Sequence, residues 1–116
     1  MFTDPQTVTI NAVAQSMPRI KVGATDSTYR TADETFQFRI SHQTTKNRTR
    51  RMVRIDKTVI AADPLTAVNS SQSAGVYLVI DEPKFGFSDA DLDFIVDGFI
   101  AWFTAGNIAK LLGSET

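Results

Sequence analysis

The 116-residue sequence contains no cysteine, which excludes disulfides, cysteine–zinc sites and thiol nucleophiles but says little about compartment. It has one histidine, His42, and no Gly-x-Ser-x-Gly stretch; because triads are spatial rather than sequential, a Ser–His–Asp site stays open on this ground alone. The six glycines are scattered singly, so no phosphate-cradling loop is present. No apolar run approaches the ~18 residues of a membrane span, and no membrane partner is expected. The opening "MFTDPQTVTI" lacks a basic region followed by an apolar one, so no secretory signal is expected. "DADLD", residues 89–93, has the spacing of the start of a calcium loop. Phe94 stands where that loop needs glycine and Ile100 where it needs glutamate, and acids in a first helical turn complement the dipole. No metal and no cofactor is expected.

What is present is ordinary in amount and uneven in distribution. At 42% apolar and 22% charged residues, the chain has the composition of a single globular domain over residues 1–116, with a formal charge of −1. Yet "KNRTRRMVRIDK", residues 46–57, holds six of the twelve Lys and Arg residues. Residues 81–97 hold six acids (Asp81, Glu82, Asp89, Asp91, Asp93, Asp97) against Lys84. Such asymmetry predicts one basic and one acidic face.

The hydrophobic pattern predicts strands over about residues 6–81 and helices over about 89–113. "TVTINAVA" alternates, with Val8, Ile10, Ala12 and Ala14 on one side. "RIKV" and "STYRT" follow around the turn-type "GATD". "TFQFRISHQ" sets Phe36, Phe38 and Ile40 against Gln37, Arg39 and Ser41. "TRRMVRIDKTVI" sets Val53, Ile55 and Val59 against Arg50, Met52, Arg54, Asp56 and Thr58. The stretch from Ala61 to Gly75 lacks periodicity and reads as a loop. "VYLVID" then opposes Val76, Leu78 and Ile80 to Tyr77, Val79 and Asp81. Period two over successive segments predicts an antiparallel sheet with one covered and one polar face.

The period then changes. Ser88 followed by Asp91 has the spacing of a capping box. Leu92, Ile95, Val96, Phe99, Ile100 and Phe103 form a helical stripe, widened by Trp102, before "AGN" breaks the run. Ile108, Leu111 and Leu112 continue as a short second helix. On another side of the first helix lie Phe94, Gly98, Ala101 and Ala105, where small residues allow a second helix or a partner chain to approach closely. With Trp102, these are the candidate dimer-interface residues.

For the basic segment, a solvated edge strand protected by long charged side chains is the plainer reading. Arg39, Arg50 and Arg54, however, share the parity opposite the apolar residues, with Tyr77 on the same side. Arginines for phosphates and a ring for an unstacked base suit single-stranded RNA. The element order and the stretch "VYLVIDEPKFGFSDADLDFIVDGFIAWFTAGNIAKLLGSE" resemble the coat proteins of single-stranded RNA bacteriophages, the levivirus group. The likeness is most specific in the last strand, the turn containing Pro83, and the long helix leading into a short one. It implies an α+β fold: a short N-terminal hairpin and a five-stranded antiparallel sheet, then two helices. It further implies an interlocked homodimer, no catalysis, assembly into an icosahedral virion shell in the bacterial host cytoplasm, and genomic RNA on the inner sheet face. By parity, the RNA-facing positions are Gln37, Arg39, Ser41, Arg50, Met52, Arg54, Asp56, Tyr77 and Val79. A small cellular RNA-binding α+β domain using the same surface is the alternative, and an α+β enzyme the third reading.

Overall fold

A computed structural model describes residues 2–116 of the chain. Seven strands precede two helices: β1 Gln6–Ile10, β2 Val13–Met17, β3 Arg19–Val22, β4 Asp26–Arg30, β5 Phe36–Thr44, β6 Arg48–Ala62, β7 Asn69–Pro83, α1 Asp89–Trp102 and α2 Ala105–Leu112. β1 and β2 form a hairpin, and β3 to β7 form an antiparallel sheet in sequence order. The chain divides into two compact units, Met1–Glu82 and Pro83–Thr116.

In the first unit, alternation decides the layering. Register pairs Phe38 with Tyr29 and with Ile55, and Ile40 with Ser27 and Val53, so these side chains share one sheet face. The β1–β2 hairpin covers that face over β4 and β5. Met17 and Tyr29 are fully buried there with Phe36 and Ile40, and Val8, Ile10, Phe38 and Ile55 pack around them. Burying one such side chain contributes roughly 1.5–3 kcal/mol. The buried Tyr29 hydroxyl accepts from Arg19 Nη2 at 3.0 Å and Nε at 3.3 Å. Arg19 also ties down the chain before β1, donating from its backbone N–H to Asp4 Oδ1 at 2.8 Å and from Nη2 to the Phe2 carbonyl.

Three sequence expectations are corrected. "TVTINAVA" is not one strand: Asn11 and Ala12, at φ 52° and 62°, make the two-residue turn between β1 and β2. Two successive positive φ values match the right-handed twist of the flanking strands. Ala61–Gly75 is not one loop either. Ala61 and Ala62 finish β6, β7 begins at Asn69, and only residues 63–68 turn. Asp63 organises that turn, its backbone N–H donating to the Val68 carbonyl at 3.0 Å and its Oδ1 accepting from Leu65 N–H at 2.8 Å. Cross-strand pairing therefore extends strand through "NSSQSAG", which has no apolar alternation to announce it.

The third correction concerns the helices. α1 starts where expected: Ser88 accepts from Asp91 N–H at 3.2 Å while the Asp91 carboxylate accepts from Ser88 N–H at 3.4 Å, a complete capping box. The break falls at Phe103–Thr104, not at "AGN", which is the first turn of α2. Thr104 is its N-cap, accepting from Asn107 N–H at 3.3 Å. Asn107 Nδ2 donates to the Trp102 carbonyl at 2.7 Å, satisfying an acceptor freed at the end of α1. The two helices meet at 73°. Ala105 consequently belongs to α2 and does not extend the Phe94–Gly98–Ala101 side of α1.

Candidate nucleic-acid interface

The sheet face opposite the core gathers the polar parity of each strand. Register sets Gln37 opposite Asp56, Arg39 opposite Arg54, Ser41 opposite Met52, and Gln43 opposite Arg50. β7 contributes Tyr77, over which the Arg54 guanidinium lies 5.3 Å from the ring centroid. Val79 and Asp81 follow on the same side by parity, and Asp81 Oδ1 accepts from Arg48 Nε at 3.0 Å. All nine positions expected to face RNA are thus on one surface. Arg39, Arg50 and Tyr77 are exposed; Gln37, Met52, Arg54, Asp56 and Val79 are half-buried, and Ser41 is buried.

A uniformly basic face is not what forms. Directly opposed like charges such as Arg39 and Arg54 repel across a ladder. Here both of these arginines have a carboxylate. Arg39 Nη2 lies 3.6 Å from Asp26 Oδ2, and Arg54 Nε donates to both Asp56 oxygens at 2.9 and 3.1 Å. On the core side of the sheet, Arg51 Nη2 meets Glu82 Oε1 at 2.8 Å. Asp81 and Glu82 therefore neutralise part of the basic strand rather than belonging to a separate acidic face. Sequence reasoning missed Arg48–Asp81 and Arg51–Glu82 because they join residues 33 and 31 positions apart, which only the β6–β7 register brings together; Arg39–Asp26 depends on the β4–β5 register, and Arg54–Asp56 is local to β6.

His42 lies on the core side, with its Nδ1 3.4 Å from Arg51 Nη1. It lines a groove of about 480 Å³ together with Asp26, Ser27, Val22 and Ile40. No hydrogen bond joins His42, Ser27 and Asp26 to one another among the described residues; Asp26 is the partner of Arg39.

In the second unit, Phe94, Ile95, Gly98, Phe99 and Trp102 line a shallow apolar groove along α1. Phe99 and Trp102 each stack edge-on against Phe103, with centroids at 4.9 and 5.2 Å. A Cβ built on Gly98 would meet nothing within 4 Å. No residue of either helix is buried, and Phe94 is 72% exposed. Of the expected interface residues, the structure joins Phe94, Gly98 and Trp102 in this groove; Ala101 is exposed on α1, and Ala105 lies across the bend.

A hairpin, a five-stranded antiparallel sheet and two C-terminal helices form the architecture found in shells of levi-like phages. The virus-like particle of bacteriophage AVE019 shares it at a TM-score of 0.84 and 11% identity, over 100% of this chain and 98% of that one. The particle of Beihai levi-like virus 21 gives 0.74 at 6% identity, over 100% and 98%. That of bacteriophage AC gives 0.64 at 12% identity, over 87% and 96%. No curated protein matches the chain. The fold is therefore that of a single-stranded RNA phage coat protein. A family model described as "Phage phiCb5, coat protein" matches residues 3–83, and the chain belongs to that family. Its role is structural, as a subunit of the virion capsid, and this displaces the cellular RNA-binding domain and enzyme readings.

Proposed function

We propose that two copies of the chain, each acting over residues 1–116 as one coat-protein domain, interlock as the assembly unit, and that the arginine-bearing sheet face binds the phage's single-stranded RNA inside the shell. The observation that carries the dimer is uncovered apolar surface. Met17, Tyr29, Phe36 and Ile40 are the buried apolar residues among those described, a small core for a chain of 116 residues. Ile95, Phe99, Ile100 and Trp102 on α1 remain about half exposed, and Val76 on β7 is 72% exposed. Patches of this kind mark interfaces. β7 borders the sheet for 15 residues and offers its outer backbone groups to a partner strand. Sheets joined at β7, with helices laid over the partner's β6–β7 surface, cover both. An obligate interface of this class buries on the order of 2,000 Å² or more.

RNA binding is supported by the convergence of Arg39, Arg50, Arg54 and Tyr77 on the face opposite the core. Each phosphate contact to a single strand contributes roughly 0.7 to the slope of log affinity against log salt. Replacing Arg50 and Arg54 together by alanine flattens that slope by about 1.4 per engaged subunit if each makes one contact. Filter binding across a salt series measures this, with circular dichroism as the folding control. An unchanged slope returns the basic strand to a solvated surface. Expression of the chain in bacteria, where assembly in the cytoplasm is expected, yields uniform RNA-containing particles visible by electron microscopy; RNA-free particles separate shell formation from genome contact.

A further inference from the structure

The arginine face carries its own competing anions. Arg30 meets Glu34, Arg39 meets Asp26, Arg48 meets Asp81 and Arg54 meets Asp56. Of the arginines on this face, Arg50 alone has no ion pair among the described residues. The pair at the centre is built in rather than incidental. Asp56 takes both of its contacts from Arg54 Nε, while the guanidinium lies over Tyr77. Beneath it, Gly75 leaves the room: a Cβ there would stand 2.5 Å from Asp56 Oδ1 and 2.7 Å from Arg54 Nη2. An anion approaching Arg54 therefore meets a guanidinium whose position and charge are already committed.

Resting on the RNA-binding reading of this face, we propose that Asp56 and Asp81 act as resident substitutes for phosphate, so that RNA binds by exchanging carboxylate for phosphate. Each exchange gives up an existing ion pair and the neutralisation of a like-charged neighbour. A single phosphate then gains little, because an exposed guanidinium–carboxylate pair and its replacement are of similar strength. Only a strand presenting several phosphates at matched positions, starting from the unpaired Arg50, displaces the carboxylates together. The acids thus tune the surface against scattered anions and in favour of extended RNA, and they are determinants of affinity without being contacts to it.

The test uses the full-chain, assembly-competent protein and a fluorescein-labelled oligouridylate titrated across a salt series. Asp56→Asn and Asp81→Asn each tighten binding roughly twofold to fivefold at low salt. The gain fades as salt rises, because ions screen the carboxylate that was removed as well. Gly75→Ala, which leaves charge unchanged but displaces the Arg54–Asp56 pair, shifts affinity in the same direction. Glu115→Gln, an equal charge change at an exposed position near the C-terminus, serves as the reference. If Asp56→Asn and Asp81→Asn bind no more tightly than Glu115→Gln, the exchange proposal is overturned. Arg50→Ala separates the two levels. Weaker binding in that variant with no gain from the acid variants defeats the exchange alone, whereas unchanged binding removes the RNA surface and the exchange with it.

Discussion

The β1–β6 region and the two helices solve the burial problem differently. In the first, a hairpin folds onto its own sheet, fully burying Met17 and Tyr29, and Arg19 satisfies the buried hydroxyl. In the second, a 14-residue and an 8-residue helix carry large apolar side chains of which none is buried. Helices of that length are marginal in water without a packed face. The contrast is between a scaffold that buries its own apolar side chains and helices that leave theirs uncovered, as the proposed dimer requires. On the proposed dimer, folding and association are one reaction for the second region, and its stability depends on protein concentration.

The largest test of this contrast is Gly98→Arg. The single chain has open space at Gly98 and loses nothing there, whereas a helix seated on that groove is blocked. Loss of dimers and particles by size exclusion is expected; normal assembly by this variant would show that the α1 groove is not the interface. Next is Met17→Ala, which removes a fully buried side chain from the self-sufficient half. It costs about 2–5 kcal/mol. That loss should appear in denaturant unfolding independently of protein concentration if the two regions differ as described. Ser88→Ala removes the N-cap of α1 and costs about 0.5–2 kcal/mol. Here the cost should appear as a higher concentration requirement for assembly if, as proposed, a partner chain stabilises α1.

The smallest effect belongs to Asp33 in the β4–β5 turn. The Thr31 hydroxyl, donating at 2.7 Å, and the Thr35 N–H at 3.1 Å hold its carboxyl below the usual aspartate range. A depressed folded-state pKa contributes stability above the unfolded-state value and loses it as pH falls through the folded one. Asp33→Asn should therefore narrow its difference from wild type only in strongly acidic solution, measured as thermal stability against pH. A difference that widens on acidification would reverse the assignment.

The strands of the scaffold were readable because period two and apolar residues coincide in "TFQFRISHQ" and "TRRMVRIDK", and the start of α1 because Ser88 and Asp91 announce it. What escaped had no local signal. Ala12 is not a turn-type residue, yet the pairing of Val8 with Gln15 and Ile10 with Val13 forces it into positive φ. The small polar residues of "NSSQSAG" are strand only because β6 lies beside them. "AGN" looks like a helix breaker until Thr104 caps it. The parity of the residues proposed to face RNA was legible, but their neutralisation was not, since ion pairs across β6 and β7 depend on register rather than on composition.

The β6–β7 ribbon has a mechanical consequence. β5 stops supporting β6 near Thr58, where the Thr58 N–H donates to the Thr35 carbonyl, while β6 continues to Ala62. At about 3.4 Å per residue, those last four residues carry the turn at 63–68 roughly 14 Å past the sheet as a two-stranded strip. A strip without a third strand resists stretching but twists and flexes easily. A closed shell asks chemically identical subunits to occupy surroundings that are not identical. In the proposed assembly, a stiff body with a compliant finger would let the same chain meet different neighbours at that tip while its core and its arginine face keep their shape.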